Sequence, residues 1–256
     1  MGKSLRFVCG NSPLGGPLAN RGAQPANVDC WTPGQRAALA EVRWKNGSTL
    51  KVGFLNRQDD YGETLRRKVR EIAPTWSQYA NIKFEFVEGT TDDITINFSP
   101  EETSLGTYSS ELGAESAQVS QAGRASMNLV FDPGNPENTD DEIRGVILHE
   151  FGHALGLIHE HARPDRPIVW NRQALVAYYA DKTGGDWGLD EVSRNIIQVY
   201  DRVIAEHTDF DPKSIMMYTF PAGLATYNDG TPFSSGFNHE LSDLDRTFVG
   251  QAYPFG

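Results

Sequence analysis

The chain has only two cysteines in 256 residues, Cys9 and Cys30, and none beyond them. Disulfides therefore cannot brace the body of the protein. At this length a hydrophobic core can form one full domain, with room for two lobes. No apolar run reaches 18 residues, so no transmembrane helix is expected. Positive charge is scarce as well. Lys and Arg total 23 against 34 Asp and Glu, giving a formal charge of −11 and a pI near 5.0. That balance argues against nucleic acid or anionic membrane as the main partner. It reads as a device for solubility, with a mild preference for basic substrates. Internal repeats and low-complexity tracts are missing too. The apolar run within Met1–Val8 is too short for a signal peptide.

What the chain does have is His149-Glu150-Phe151-Gly152-His153-Ala154-Leu155-Gly156-Leu157-Ile158-His159, an H-E-x-x-H-x-x-G-x-x-H run. Residues four apart on a helix share a face, so His149 and His153 can offer two imidazoles to one zinc ion. Ile143, Ile147, Phe151, Ala154 and Ile158 fall on the opposite side and predict a core stripe behind a metal face. Six residues past His153, a continuing helix would have turned His159 about 240° away. Gly156 resolves this by adopting the left-handed conformation that ends a helix, so His159 approaches from another direction. Three neutral ligands leave zinc its full charge and an open position for water, the pattern of a catalytic site. Glu150 is the natural general base, taking a proton from water and later delivering it to the leaving amine.

The run continues through Glu160, Arg163, Asp165 and Arg166 as H-E-H-A-R-P-D-R, and Ser214-Ile215-Met216-Met217-Tyr218 follows later. The first is similar to the extension that follows the zinc motif in astacin-type metalloproteases. The second resembles the Met-turn of that family, usually S-I-M-H-Y. The set resembles a metzincin of the astacin-like branch over about residues 44–256. The resemblance implies zinc ligands at His149, His153 and His159, with Glu150 as base. It also implies an apolar floor at Met216 that is not a ligand, and Tyr218 as a fifth ligand or a swinging phenol for the oxyanion. Glu160 would anchor a buried polar network behind the site. The departures are Met217, where histidine is common, and the missing disulfides. The chain thus looks like a divergent, cysteine-poor relative.

Several elements can be placed. Residues 10–34 are rich in Gly, Pro and Asn and read as an irregular extension, with a short helix over Pro33–Val42. Leu50–Leu55 reads as the first strand. Leu65, Val69, Ile72, Trp76 and Tyr79 form a helical stripe, kinked at Pro74. Alternation at Ile82, Phe84 and Phe86, and at Ile94, Ile96 and Phe98, predicts two half-buried strands. Met127, Leu129 and Phe131 predict another. Leu189, Val192, Ile196, Val199 and Val203 suggest a second helical stripe, and Leu241–Ala252 a closing helix. The tryptophans are read as core or lobe-packing residues.

The expected fold is α+β, of the zincin or metzincin kind implied by the resemblance. A mixed twisted sheet and two long helices would form an upper lobe over about residues 47–157. An irregular lower lobe over about 158–256 would end in a helix, with the cleft between them and residues 1–46 as an extension or propeptide-like segment. An edge strand near Gly106, Thr107, Tyr108 and Ser109 would pair with extended peptide. The expected activity is zinc-dependent endopeptidase, with one Zn2+, protein or peptide substrates, no nucleic-acid partner and a monomeric state. Its relatives' usual habit suggests an extracellular location.

Cys9 and Cys30 leave alternatives open: one disulfide, free thiols, or a Cys9 thiolate that blocks zinc in a latent form. In the last case Cys9-Gly10 echoes the matrix metalloprotease switch. Astacin prosegments more often use an aspartate, for which Asp29 is a candidate. His161, His207 and His239 read as hydrogen-bonded or surface histidines, His161 standing beside the ligands. A catalytically blocked zinc-binding module is the alternative of a different class, and the intact Glu150 argues against it. A third reading keeps the chemistry and restricts the substrate to short peptides or peptidoglycan cross-links.

Overall fold

The computed structural model describes residues 42–100, 108–163, 165–185, 187–198 and 209–256. Cys9, Cys30, Asp29, Gly106, Thr107, Val199, Val203, His207 and the 33–42 helix, save its last residue, lie outside the described residues.

A five-stranded sheet orders its strands β2-β1-β3-β5-β4. These are β1 (Thr49–Phe54), β2 (Lys83–Phe86), β3 (Ile94–Asn97), β4 (Tyr108–Ser110) and β5 (Met127–Leu129). β1 runs parallel to β2 and β3, and β3 parallel to β5; β4 alone is antiparallel, closing one edge against β5. Two long helices precede Gly156 as expected, α1 (Asp60–Ile72) and α3 (Asp140–Ala154), with a short α2 (Glu115–Gln121) between them. α1 and α3 pack on each other, α3 covers β4 and β5, and α2 lies against β3.

The helical stripe from Leu65 breaks rather than kinks. α1 ends at Ile72 and Pro74 opens a 3-10 turn over Ala73–Gln78, where its missing N–H costs no bond. Trp76, fully buried on that turn, donates its indole N–H to the Leu148 carbonyl of α3 at 3.0 Å. β3 is not half-buried: all four of its residues are buried, Thr95 and Asn97 included. Its polar face is tolerated because Asn97 sits in an amide ladder. Asn56 donates to Asn97 at 2.6 Å, Asn97 to Asn128 at 2.8 Å, and Asn128 to the Ser109 hydroxyl of β4 at 2.8 Å.

After Gly156 the chain is more regular than expected. β6 (Ile168–Trp170), β7 (Phe220–Tyr227) and β8 (Pro232–Ser235) make an antiparallel sheet, accompanied by α4 (Arg172–Lys182). Among the described residues the stripe from Leu189 gives α5 (Leu189–Val192) and one wide turn over Ser193–Ile197, and Leu189 itself is exposed. The closing helix α6 (Asp243–Ala252) starts at a capping box. Ser242 accepts from the Asp245 N–H, and Asp245 accepts from the Ser242 N–H.

Candidate metal centre

α3 is built to end where the site needs it. Thr139 caps its start and Asp140, Asp141 and Glu142 fill the first turn, favourable beside the positive end of the helix dipole. At the other end Gly156 has φ +91°, and the Leu157 and Gly156 N–H groups bond back to the Gly152 and His153 carbonyls at 3.0 and 2.7 Å. This is a Schellman ending, which only glycine enters without strain. The next two orphan carbonyls are taken by side chains. The Trp44 indole donates to Ala154 at 2.7 Å and the Tyr253 hydroxyl to Leu155 at 2.8 Å. The core stripe and the metal face both form, but neither is open to solvent. From Gly145 to Ala154 every residue of α3 is buried, with Met216 close against Gly152 and Phe237 close against Gly145.

The turn after Gly156 brings the third imidazole back. The ligand nitrogens of His149, His153 and His159 all lie within 4.8 Å of one another, with the Nε2 atoms of His153 and His159 3.0 Å apart. The His149 Nδ1 meets the Ile215 carbonyl at 2.7 Å and the His153 Nδ1 meets the Leu157 carbonyl at 2.8 Å. Those contacts hold the proton on Nδ1 and leave each Nε2 lone pair for a metal. Burial penalises the imidazolium form. It holds His149 and His159 well below the ordinary value and His153 at about 4. Three neutral imidazoles converging in a buried pocket fit a catalytic zinc ion.

Glu150 is fully buried on α3 between the first two ligands. Its charge reaches Tyr108 at the head of β4, whose phenol pKa is raised chiefly by burial and further by Glu142, Tyr61 and Glu150. Glu150 and the terminal sheet strand are therefore neighbours. Met216 is buried beneath the helix, so close to Gly152 that any side chain there would collide with its sulfur. Tyr218 is buried and sets its ring 4.4 Å from His159 and 6.0 Å from His149. Glu160 accepts from Arg163 Nη1 at 2.8 Å and the Asp211 N–H at 2.9 Å. Burial raises its pKa despite the guanidinium. Arg163 is itself buried and also pairs with the exposed Asp165 at 2.6 Å.

Two contributors are not legible in the motif. Asp245 accepts from the Ser214 hydroxyl at 2.7 Å and the Ile215 N–H at 2.8 Å, fixing the Met-turn. The S-x-x-D spacing before an apolar helix is the signal that could have revealed it. His161 is fully buried against the site, while His239 is half-buried away from it.

A helix carrying two of three converging histidines, a parallel sheet with one antiparallel edge strand and a buried methionine beneath together define a zinc metallopeptidase of the metzincin type. A model of the matrixin family matches residues 43–169. The solved structure of myroilysin superposes with a TM-score of 0.72 and 34% identity, over 86% of this chain and 98% of that one. Zinc metalloproteinase nas-38 of Caenorhabditis elegans is 32% identical over 111 residues, 42% of this chain and 13% of that protein. Astacin-like metalloprotease toxin 2 of Loxosceles intermedia is 33% identical over 122 residues, 44% of this chain and 43% of that one. This chain thus spans only a part of those two curated relatives. It belongs to the astacin-like zinc metalloproteases.

Proposed function

We propose that the chain is an endopeptidase that hydrolyses internal peptide bonds of protein substrates, with residues 47–256 as its catalytic unit. The observation that carries this is the convergence of three buried neutral imidazoles beside the buried carboxylate of Glu150. Zinc, when bound, lowers the pKa of water toward about 7 and polarises the scissile carbonyl. Glu150 takes the proton from the attacking water and passes it to the leaving amine nitrogen. The Tyr218 phenol donates to the oxyanion as the carbonyl carbon becomes tetrahedral. β4 ends the sheet on one side, so its outer edge is suited to pair with an extended peptide, with Tyr108 and Ser109 presenting the backbone groups.

The reading extends to an extracellular monomer. A relative named as a toxin supports action outside the cell. Cys9 stands as the candidate thiolate of a latent form; Cys9→Ala raises activity if it blocks zinc, and unchanged activity disposes of that role.

The test of the main reading is casein hydrolysis with and without a chelator, alongside Glu150→Ala. The variant keeps its fold and zinc but loses turnover by roughly three orders of magnitude or more. Turnover by a zinc-loaded Glu150→Ala protein at the wild-type rate removes the base from Glu150.

A further inference from the structure

The three ligand rings are not held in the same way. His149 and His153 are each fixed through Nδ1 by a main-chain carbonyl. Among the described residues, no carbonyl does this for His159, whose hydrogen-bond-range neighbour is the His153 ring. What His159 has is flat packing. The His161 ring lies 5.1 Å away at an interplanar angle of 22°, and the Tyr218 ring packs edge-on at 4.4 Å. His161 also lies 4.5 Å from Tyr218, so one ring touches both groups. Behind it stand Phe220 at 5.3 Å and Trp170 at 6.4 Å, both edge-on.

The nitrogens of His161 are poorly used. The ring is fully buried, its Nδ1 has no hydrogen-bond partner, and its Nε2 makes only a long 3.4 Å contact with the Asn195 carbonyl. Buried polar atoms that matter for their hydrogen bonds are normally paired. A ring left half-unpaired but packed on every side contributes by its shape. Its backbone cannot drift, because the turn Glu160–Ala162 is tied down by the Glu160 N–H to the Met216 carbonyl and the Ala162 N–H to the His159 carbonyl, each 3.0 Å.

We propose that His161 is a positioning residue of the zinc site, a flat wall that sets the orientation of the His159 imidazole and the Tyr218 phenol together. It does for His159 by stacking what carbonyls do for the other two ligands. The inference rests on the zinc-site reading above.

The test compares the full chain with His161→Phe, His161→Leu and His161→Ala. Each protein is stripped, then titrated with Zn2+ against a chromophoric chelator and with Co2+ for its d–d absorption bands; chelated samples are melted. Phe keeps the flat wall, so zinc Kd stays within about threefold of wild type, whereas Leu fills the space without a flat face and weakens zinc by about tenfold or more. The Co2+ bands shift in the Leu variant and not in the Phe variant, although the two chelated proteins melt alike. Wild-type Kd and bands in His161→Leu overturn the proposal, as does a Phe variant no better than Leu. The Phe and Leu pair decides the matter even if the Ala variant does not fold. A wild-type chain that binds neither metal stoichiometrically instead overturns the site reading itself, and this inference with it.

Discussion

The Nδ1 of His149 lies 2.7 Å from the carbonyl oxygen of Ile215, so the first ligand on α3 is oriented by the Met-turn, 66 residues further along the chain. The Ile215 N–H, on the same residue, is held by Asp245 at 2.8 Å. Helix α6 thus reaches the metal ligand through one residue of the Met-turn. Asp245→Ala leaves three donors without an acceptor, the Ser214 hydroxyl and the Ile215 and Ser242 N–H groups. At about 1 kcal/mol or more each, the loss is roughly 3 kcal/mol. Denaturant melts should show that loss with and without zinc, and metal titration should show weaker binding. Stability lost with zinc affinity unchanged would mean that the Met-turn does not orient His149.

Gly156→Ala tests the helix ending. A methyl group there meets only ordinary contacts, Arg43 Cγ and Val42 Cγ2 at 3.7 Å, so space is not the obstacle. The obstacle is φ at +91°, which costs an L-residue about 1–2 kcal/mol or opens the Schellman bonds. Opening them displaces the Leu157 carbonyl that holds His153. The expected result is a melting temperature a few degrees lower and a weakened zinc site. Asn tolerates left-handed backbone better, so Gly156→Asn should do less harm. Equal damage from Asn and Ala would remove the conformational explanation.

Tyr218→Phe separates the phenol from its ring. Phe preserves the packing on His159 and His161, so fold and zinc content should hold. If the hydroxyl donates to the oxyanion only as charge develops, kcat falls by about a hundredfold while KM changes little. Steady-state kinetics on a fluorogenic peptide reads both. A rise in KM at constant kcat would instead place the hydroxyl in substrate binding.

The zinc motif and the turn at Gly156 were legible because spacing alone dictates them. The strands at Phe84 and Ile94 were legible through alternation. Sequence reasoning failed where polar residues are buried by pairing with one another. Asn97 and Ser109 look like part of a wet face and are buried, joined through the half-buried Asn128. It failed again where apolar pattern is thin. α4 buries only Leu175 and Tyr179, and β7 is interrupted by Pro221 and Gly223, so neither showed a clear period. Leu189 misled in the other direction, an apolar residue that stays exposed. His161 gave only its place two residues after His159 as a signal, and nothing in the sequence showed its ring to be fully buried against the site.

The buried imidazoles also set the acid limit of the metal-free protein. An unfolded histidine titrates near 6.5. In the fold, burial holds His153 at about 4, His161 at about 3, and His149 and His159 well below the ordinary value. Above pH 6.5 both states are neutral at these sites and nothing is lost. Below it the unfolded chain binds protons that the folded protein refuses, so stability falls as pH falls, from about 6.5 down to the folded values. Each ring contributes at most about 1.4 kcal/mol per pH unit, or roughly 2 kcal/mol by pH 5. Glu160 and Asp245 oppose this, because burial raises their pKa and the folded state gains protons first. Their gain is confined to the acid end, near and above the ordinary carboxylate range. The chelated protein should therefore lose about 10 °C or more in melting temperature between pH 7 and pH 5. A calorimetric scan across that range that stays flat would show that these rings are hydrated, and that the site is not the dry, neutral pocket from which its zinc chemistry follows.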